Sequence, residues 1–284
     1  MAEIKVTLPD ESTRALPEGS TGADLAADVG RSLAKAAIAL NVNGETKDLS
    51  KPLSDGDAVS VVTPDTEDGL YVLRHSTAHV LAQAVLSIWE GATYAIGPPI
   101  KDGFYYDFEL PDGATFTEDD LTNIEQRMRQ IMKEDQQFER YEITSEEALD
   151  LFGKHKFKKE IIERVSTGEI DSEISNEASA EGIISYYKNG QDFVDLCTGP
   201  HVPSTGKLGH FALQKVAGAY WRGDEKQPML QRIYGTAWAS KNDLDDYLER
   251  LAEAEKRDHR RLAAELDLVS WPEDLGPGLA VWHP

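Results

Sequence analysis

The sequence predicts an α+β protein in three parts: a small β-grasp module, a larger α+β domain and a helical connector. Period-two alternation of apolar residues, broken by turn residues, marks strands within residues 1–63. A 3.6-residue apolar period marks a long helix running from Arg74 to Trp89. An Asn189-Gly190 pair between two strand-like runs marks a hairpin in the second part.

In residues 1–63, Ile4, Val6 and Leu8 alternate before a turn at Pro9-Asp10-Glu11-Ser12. Thr21 with Asp24 reads as a helix start ahead of Leu25 and Val29. Ile38–Val42 and Val59–Val62 read as further strands, with turns at Asn43-Gly44 and Asp55-Gly56. Strands around one short helix in so short a span suggest the ubiquitin-like β-grasp. It holds no catalytic constellation, so binding or positioning is its expected role. Thr63–Gly69 reads as a polar boundary. After the helix, a loop from Ala95 leads into an aromatic strand ending at Phe108, and Thr117 with Asp120 opens an amphipathic helix carrying Leu121, Ile124, Met128 and Ile131. Residues 145–167 hold two shorter helices, and 168–182 form an acidic loop. The hairpin pairs 183–188 with 191–196, and strands at Phe211–Val216 and Met229–Tyr234 close the domain. A charged helix from Asn242 to about Leu266 is the connector.

A chain of 284 residues, 40% hydrophobic and 28% charged, can build more than one core. Its net charge of −22 excludes a broad electrostatic grip on nucleic acid. Two basic runs, Lys154–Lys159 and Lys256–Arg261, read as solvated helix faces. No apolar run reaches the length of a membrane span, and Met1–Val6 lacks a signal-peptide layout. The single cysteine excludes an intrachain disulfide framework, and the expected location is the cytoplasm.

His75 and His79 stand one turn apart on the Arg74–Trp89 helix, on a stripe with Val72, Ala82, Leu86 and Trp89. Burying two imidazoles is costly unless something uses them. Cys197 and His201 form a second pair just beyond the hairpin, where Gly199-Pro200 bends the chain. The fold is expected to bring all four into one site. Three readings stay open: zinc binding, metal-free hydrolysis with an imidazole activating water, and histidines merely satisfied within a core. The metalloprotease motif is excluded because Ser76 stands where its glutamate would be. Zinc held by all four residues would leave no position for water, a structural arrangement rather than a catalytic one. Metal-free hydrolysis is therefore preferred. A generic esterase ranks low without a Gly-x-Ser-x-Gly elbow.

Together with His75-Ser76-x-Ala78-His79, the stretches Ala95–Pro98, Gly103–Asp107, Asp195–His201, Gly218–Asp224 and Met229–Trp238 resemble bacterial threonyl-tRNA synthetase. The resemblance implies a TGS domain at 1–63, an editing domain (a seryl-tRNA deacylase) at 67–240, and a linker helix with the start of the aminoacylation domain at 241–284. The family's class II motifs, ATP site, active-site zinc, anticodon-binding domain and oligomer interface would lie beyond Pro284, so this chain is not expected to make threonyl-tRNA. The implied partner is threonine tRNA mischarged with serine, presented by its acceptor end; no membrane is implied. The implied activity is hydrolysis of that ester, which requires no cofactor. A lost methyl is worth only about 1–3 kcal/mol of discrimination, so a second, smaller pocket must finish the sorting. The resemblance carries His75, His79, Cys197 and His201 as the pocket core, joined by Asp195 and Lys158. Lys158 reads equally as a surface lysine, and Asp195 as a strand-end residue. The alternative from another class is a binding module with structural zinc at the four-residue cluster.

Overall fold

In the computed structural model, which describes residues 2–168, 184–191, 193–257, 262–263, 265–270 and 279–283, the first alternating run becomes a hairpin. Strand β1 (Glu3–Thr7) pairs antiparallel with β2 (Thr13–Pro17), so that Ile4, Val6 and Leu16 share one core. Helix α1 (Gly22–Val29) starts at a capping box in which Thr21 and Asp24 satisfy each other's backbone N–H. Gly30 ends it, and a second short helix, α2 (Arg31–Ala36), follows where the sequence suggested only one. Strand β3 (Ala39–Val42) lies between β4 (Glu45–Lys47) and β5 (Val59–Val62). A parallel bridge from Thr7 to Ala58 joins the hairpin to this sheet, completing the expected β-grasp.

The central helix, α3 (Glu67–Ile88), begins earlier than the sequence suggested. Thr66 Oγ1 accepts from Gly69 N, and Glu67 and Asp68 occupy the first turn, where the helix dipole favours carboxylates. The polar boundary thus becomes the helix cap. Nor is α3 buried along one stripe: every residue from Val72 to Ala82 is buried. Its surroundings explain why. Ile38, Ala39 and Val62 of the β-grasp module, aromatics of the main sheet, and Leu121, Ile124, Met128 and Ile131 all contribute to its core.

That sheet has the order β12 (His210–Tyr220), β13 (Met229–Trp238), β8 (Gly103–Glu109), β6 (Thr93–Tyr94), with β7 (Pro99–Ile100) also paired to β8. β12 and β13 extend beyond the predicted runs, with a register shift between Leu213 and Lys215. Gly103 lies against the Gly235 backbone so closely that a β-carbon there would overlap its carbonyl. Helix α4 (Glu118–Lys133) has the expected Thr117–Asp120 capping box and buries Leu121, Ile124, Met128 and Ile131.

A second sheet, β11 (Phe193–Leu196), β10 (Ile184–Asn189), β9 (Phe138–Ile143), contains the predicted hairpin. β9 was not foreseen: its side chains are mostly exposed, so no apolar alternation marks this edge strand. Helices α5 (Ser145–Phe152) and α6 (Lys156–Thr167) pack Phe152, Phe157, Ile161 and Ile162 against Ile184 and Leu196. The predicted acidic loop lies, apart from Gly168, outside the described residues.

Residues 1–240 form one compact unit and 241–284 a second. The second contains α7 (Lys241–Lys256) and an antiparallel pair, β14 (Val269–Ser270) with β15 (Val281–Trp282). Residues 258–261 of the second basic run lie outside the described residues. Among the described residues, no helix is long and apolar enough to cross a membrane.

Candidate active site

Helical spacing alone puts His75 and His79 side by side, with ring centroids 5.4 Å apart. The turn after β11 then delivers Cys197 and His201 to the same place. Cys197 Sγ lies 3.2 Å from His75 Nε2 and 3.3 Å from His201 Nε2, and the His201 ring is 4.1 Å from that of His79. One ligand atom from each of the four residues falls within 4.8 Å of every other, and all four residues are buried. Phe138 stacks on the His201 ring and Tyr187 meets it edge-on, so the imidazoles sit inside an aromatic cage.

The turn is held by side chains rather than by a strand ladder. Gly199 is at φ +80° and a β-carbon there would overlap the Tyr187 hydroxyl, so glycine is required; the Gly199–Pro200 peptide is cis. Gly199 N donates to Cys197 Sγ and Val202 N donates to Ser76 Oγ. Ser76 Oγ donates its one proton to the Val72 carbonyl, 2.8 Å away, so the 2.9 Å contact with His201 is His201 Nδ1–H donating to Ser76. That tautomer leaves the Nε2 lone pair of His201 facing the Cys197 thiol. Ser76, which carried no site role in the sequence, is thus the clamp between helix and turn.

Lys158 and Asp195 form the site's second half. Lys158 is fully buried, and its Nζ lies 2.6 Å from Asp195 Oδ1. The reading of Lys154–Lys159 as a solvated face therefore fails at this residue, because the buried carboxylate draws the ammonium inward. The Tyr106 hydroxyl donates to Asp195 Oδ2, which also lies 3.6 Å from His79 Nε2. His79 Nδ1 has no hydrogen-bond partner among the described residues. Tyr106 went unassigned in the sequence, although it sits within the Gly103–Asp107 stretch. Tyr187 and Asp48 carried no local signal.

Burial dominates the electrostatics. It lowers the His75 pKa from 6.5 to about 4, opposed by a hydrogen bond to the Pro200 backbone and reinforced by the Lys158 charge. His79 is pushed well below 6.5 by burial, then by His75 and Lys158; His201 by burial, then by His79 and His75. Burial raises the Asp195 pKa above its ordinary value, with Lys158 pulling the other way. All three imidazoles are neutral at pH 7, able to accept a proton or to ligate a metal. The two sulfur–nitrogen distances of 3.2 and 3.3 Å are close to the roughly 3.5 Å edge that zinc–sulfur and zinc–nitrogen bonds of about 2.3 and 2.0 Å would give, so these two edges match a tetrahedral ion.

Residues 4–63 match the family model of the TGS domain, and residues 184–234 that of the threonyl and alanyl tRNA synthetase second additional domain. The second match takes in β10, β11, the Cys197–His201 turn and most of the main sheet's long hairpin. A β-grasp module is thus followed in this chain by a domain whose family model is named for threonyl and alanyl tRNA synthetases. The chain is 53% identical over 98% of its length to threonine–tRNA ligase from Acidithiobacillus ferrooxidans, covering 41% of that protein. It is 48% identical over its full length to the enzyme of Citrifermentans bemidjiense, covering 42%, and 47% identical to that of Bifidobacterium longum, covering 41%. It spans about two fifths of the length of these relatives, aligning with the N-terminal part of threonine–tRNA ligases through its TGS and additional domains.

Proposed function

We propose that this chain hydrolyses the ester linking serine to threonine tRNA, the proofreading half-reaction of a threonine–tRNA ligase, in the cytoplasm. The observation that carries the reading is the meeting of His75, His79, Cys197 and His201 beside the buried Lys158–Asp195 pair, in a chain similar along its length to threonine–tRNA ligases. A neutral His75 is suited to take a proton from water as it attacks the ester carbonyl. The Lys158 ammonium is suited to steady the oxyanion that forms, and Asp195 keeps it charged and aimed. On this reading His79, Cys197 and His201 shape the pocket that would admit a hydroxymethyl side chain and exclude threonine's methyl.

The test is deacylation of threonine tRNA charged with serine or with threonine, by wild type and by His75→Ala. Wild type should release serine in preference to threonine, and His75→Ala should lose roughly 100-fold or more in rate, the scale of one general base. Equal release of both amino acids would remove the sieve, and an unaffected His75→Ala would remove the base. The four-ligand geometry also supports a second reading, a tRNA-binding module built around structural zinc. Stoichiometric zinc whose chelation unfolds the protein would favour it; unchanged deacylation after chelation would favour hydrolysis without metal.

A further inference from the structure

Residues of the larger domain supply the candidate catalytic turn with most of its support, but one backbone anchor comes from elsewhere in the chain. Of the turn's N–H groups, Gly199 is satisfied by Cys197 and Val202 by Ser76. His201 N donates instead to Asp48 Oδ1, at 2.8 Å, and Asp48 lies just beyond β4 of the β-grasp module, 153 positions away. The other oxygen of the same carboxylate accepts from the Tyr187 hydroxyl, at 2.5 Å. Tyr187 is the residue whose hydroxyl fills the space at Gly199 and whose ring stands edge-on to His201, with centroids 4.4 Å apart. Both hydrogen bonds accepted by Asp48 therefore converge on His201, one through its backbone and one through the ring packed against it. The Arg140 side chain, on the strand beside Tyr187, and Lys51 place positive charge near this carboxylate.

We propose that the β-grasp module completes the candidate active site, with Asp48 as a positioning residue that fixes the Gly199–Val202 turn and the His201 imidazole. The module is then part of the hydrolytic unit and not only a neighbour of it. The catalytic arm of this proposal rests on the proposed function; the positional arm does not. The chain's single cysteine lies in the same turn and is buried, so the reactivity of its thiol reports directly whether the turn is held.

The experiment uses the full 284-residue chain as wild type, Asp48→Ala, Asp48→Asn and Tyr187→Phe. Two readouts are taken: the rate at which Ellman's reagent modifies Cys197 under native conditions, and kcat and KM for seryl-tRNA deacylation. Asp48→Ala should speed thiol modification at least about tenfold and lower kcat by about 10- to 100-fold, with KM little changed. Asp48→Asn should stay within about threefold of wild type in both, because its amide oxygen can accept from His201 N and its NH2 can donate to Tyr187. Tyr187→Phe removes only the anchored hydroxyl and should move both readouts in the same direction by less, which keeps the test open if Asp48→Ala does not fold. Thiol protection and kcat unchanged in both Asp48→Ala and Tyr187→Phe would overturn the proposal. A wild type without deacylase activity would remove the proposed function and leave the thiol readout to decide the positional claim.

Discussion

Asp195→Asn keeps the shape of the side chain and removes its charge, leaving the Lys158 ammonium buried with no counter-ion. The two side chains are 0% and 1% exposed and 2.6 Å apart, so neither charge can recover hydration without opening the domain. Breaking a buried pair by removing one partner costs about 3–5 kcal/mol. For a unit of this size, each kcal/mol lowers Tm by about 2–4 °C, so Asp195→Asn should lower it by roughly 6–20 °C. Lys158→Met exposes the reciprocal problem and should cost a similar amount. The double variant buries no charge at all, so its loss should fall short of the sum of the single losses by about 2 kcal/mol or more. Urea unfolding followed by circular dichroism measures all four proteins, with constant m-values as the check that the transition stays two-state. Single losses that add to within about 0.5 kcal/mol would show that the two groups do not hold each other, and would refute the reasoning. Deacylation by the double variant should still be lost, because the oxyanion donor is gone even where the fold is restored.

The buried His75 should add a contribution of fixed sign to the pH dependence of stability, opposite to that of the buried Asp48 and Asp195 carboxyls, whose raised pKa values favour the fold at lower pH. With a folded pKa of about 4 for His75 against 6.5 when unfolded, the unfolded chain binds more protons at this residue between these values. This contribution should therefore rise with pH through that window and be lost as pH falls from about 6.5 towards 4, by about 3 kcal/mol for His75. His75→Gln should show a flatter dependence of the urea midpoint over that range, and an unchanged slope would count against a buried neutral imidazole. Gly199→Ala places a side chain at φ +80° and against the Tyr187 hydroxyl. It should cost about 1–3 kcal/mol and abolish most deacylation, both measurable on purified protein.

The part of this architecture legible in the sequence is the part that local spacing controls. The Thr21–Asp24 and Thr117–Asp120 caps, the Asn189-Gly190 hairpin and the shared face of His75 and His79 each depend on residues within a few positions of one another. Elements without a burial signature were missed. β9 carries charged and aromatic residues on an exposed edge, and α3 was given a single apolar stripe although it is enclosed on all sides. The resemblance to a synthetase family supplied Lys158 and Asp195, which no spacing pattern joined.

By itself, then, the sequence determined the elements that carry a cap, an apolar period or a turn pair, and placed one pair of imidazoles a helical turn apart, because those signals act over three or four residues. Only the tertiary structure brought Cys197 within reach of His75 across 122 positions, drew Lys158 inward to Asp195, and set Asp48 of the first module against His201. Those contacts arise from packing separate elements around α3. The free energy of burying a charge or satisfying an N–H there depends on neighbours that sequence order does not reveal.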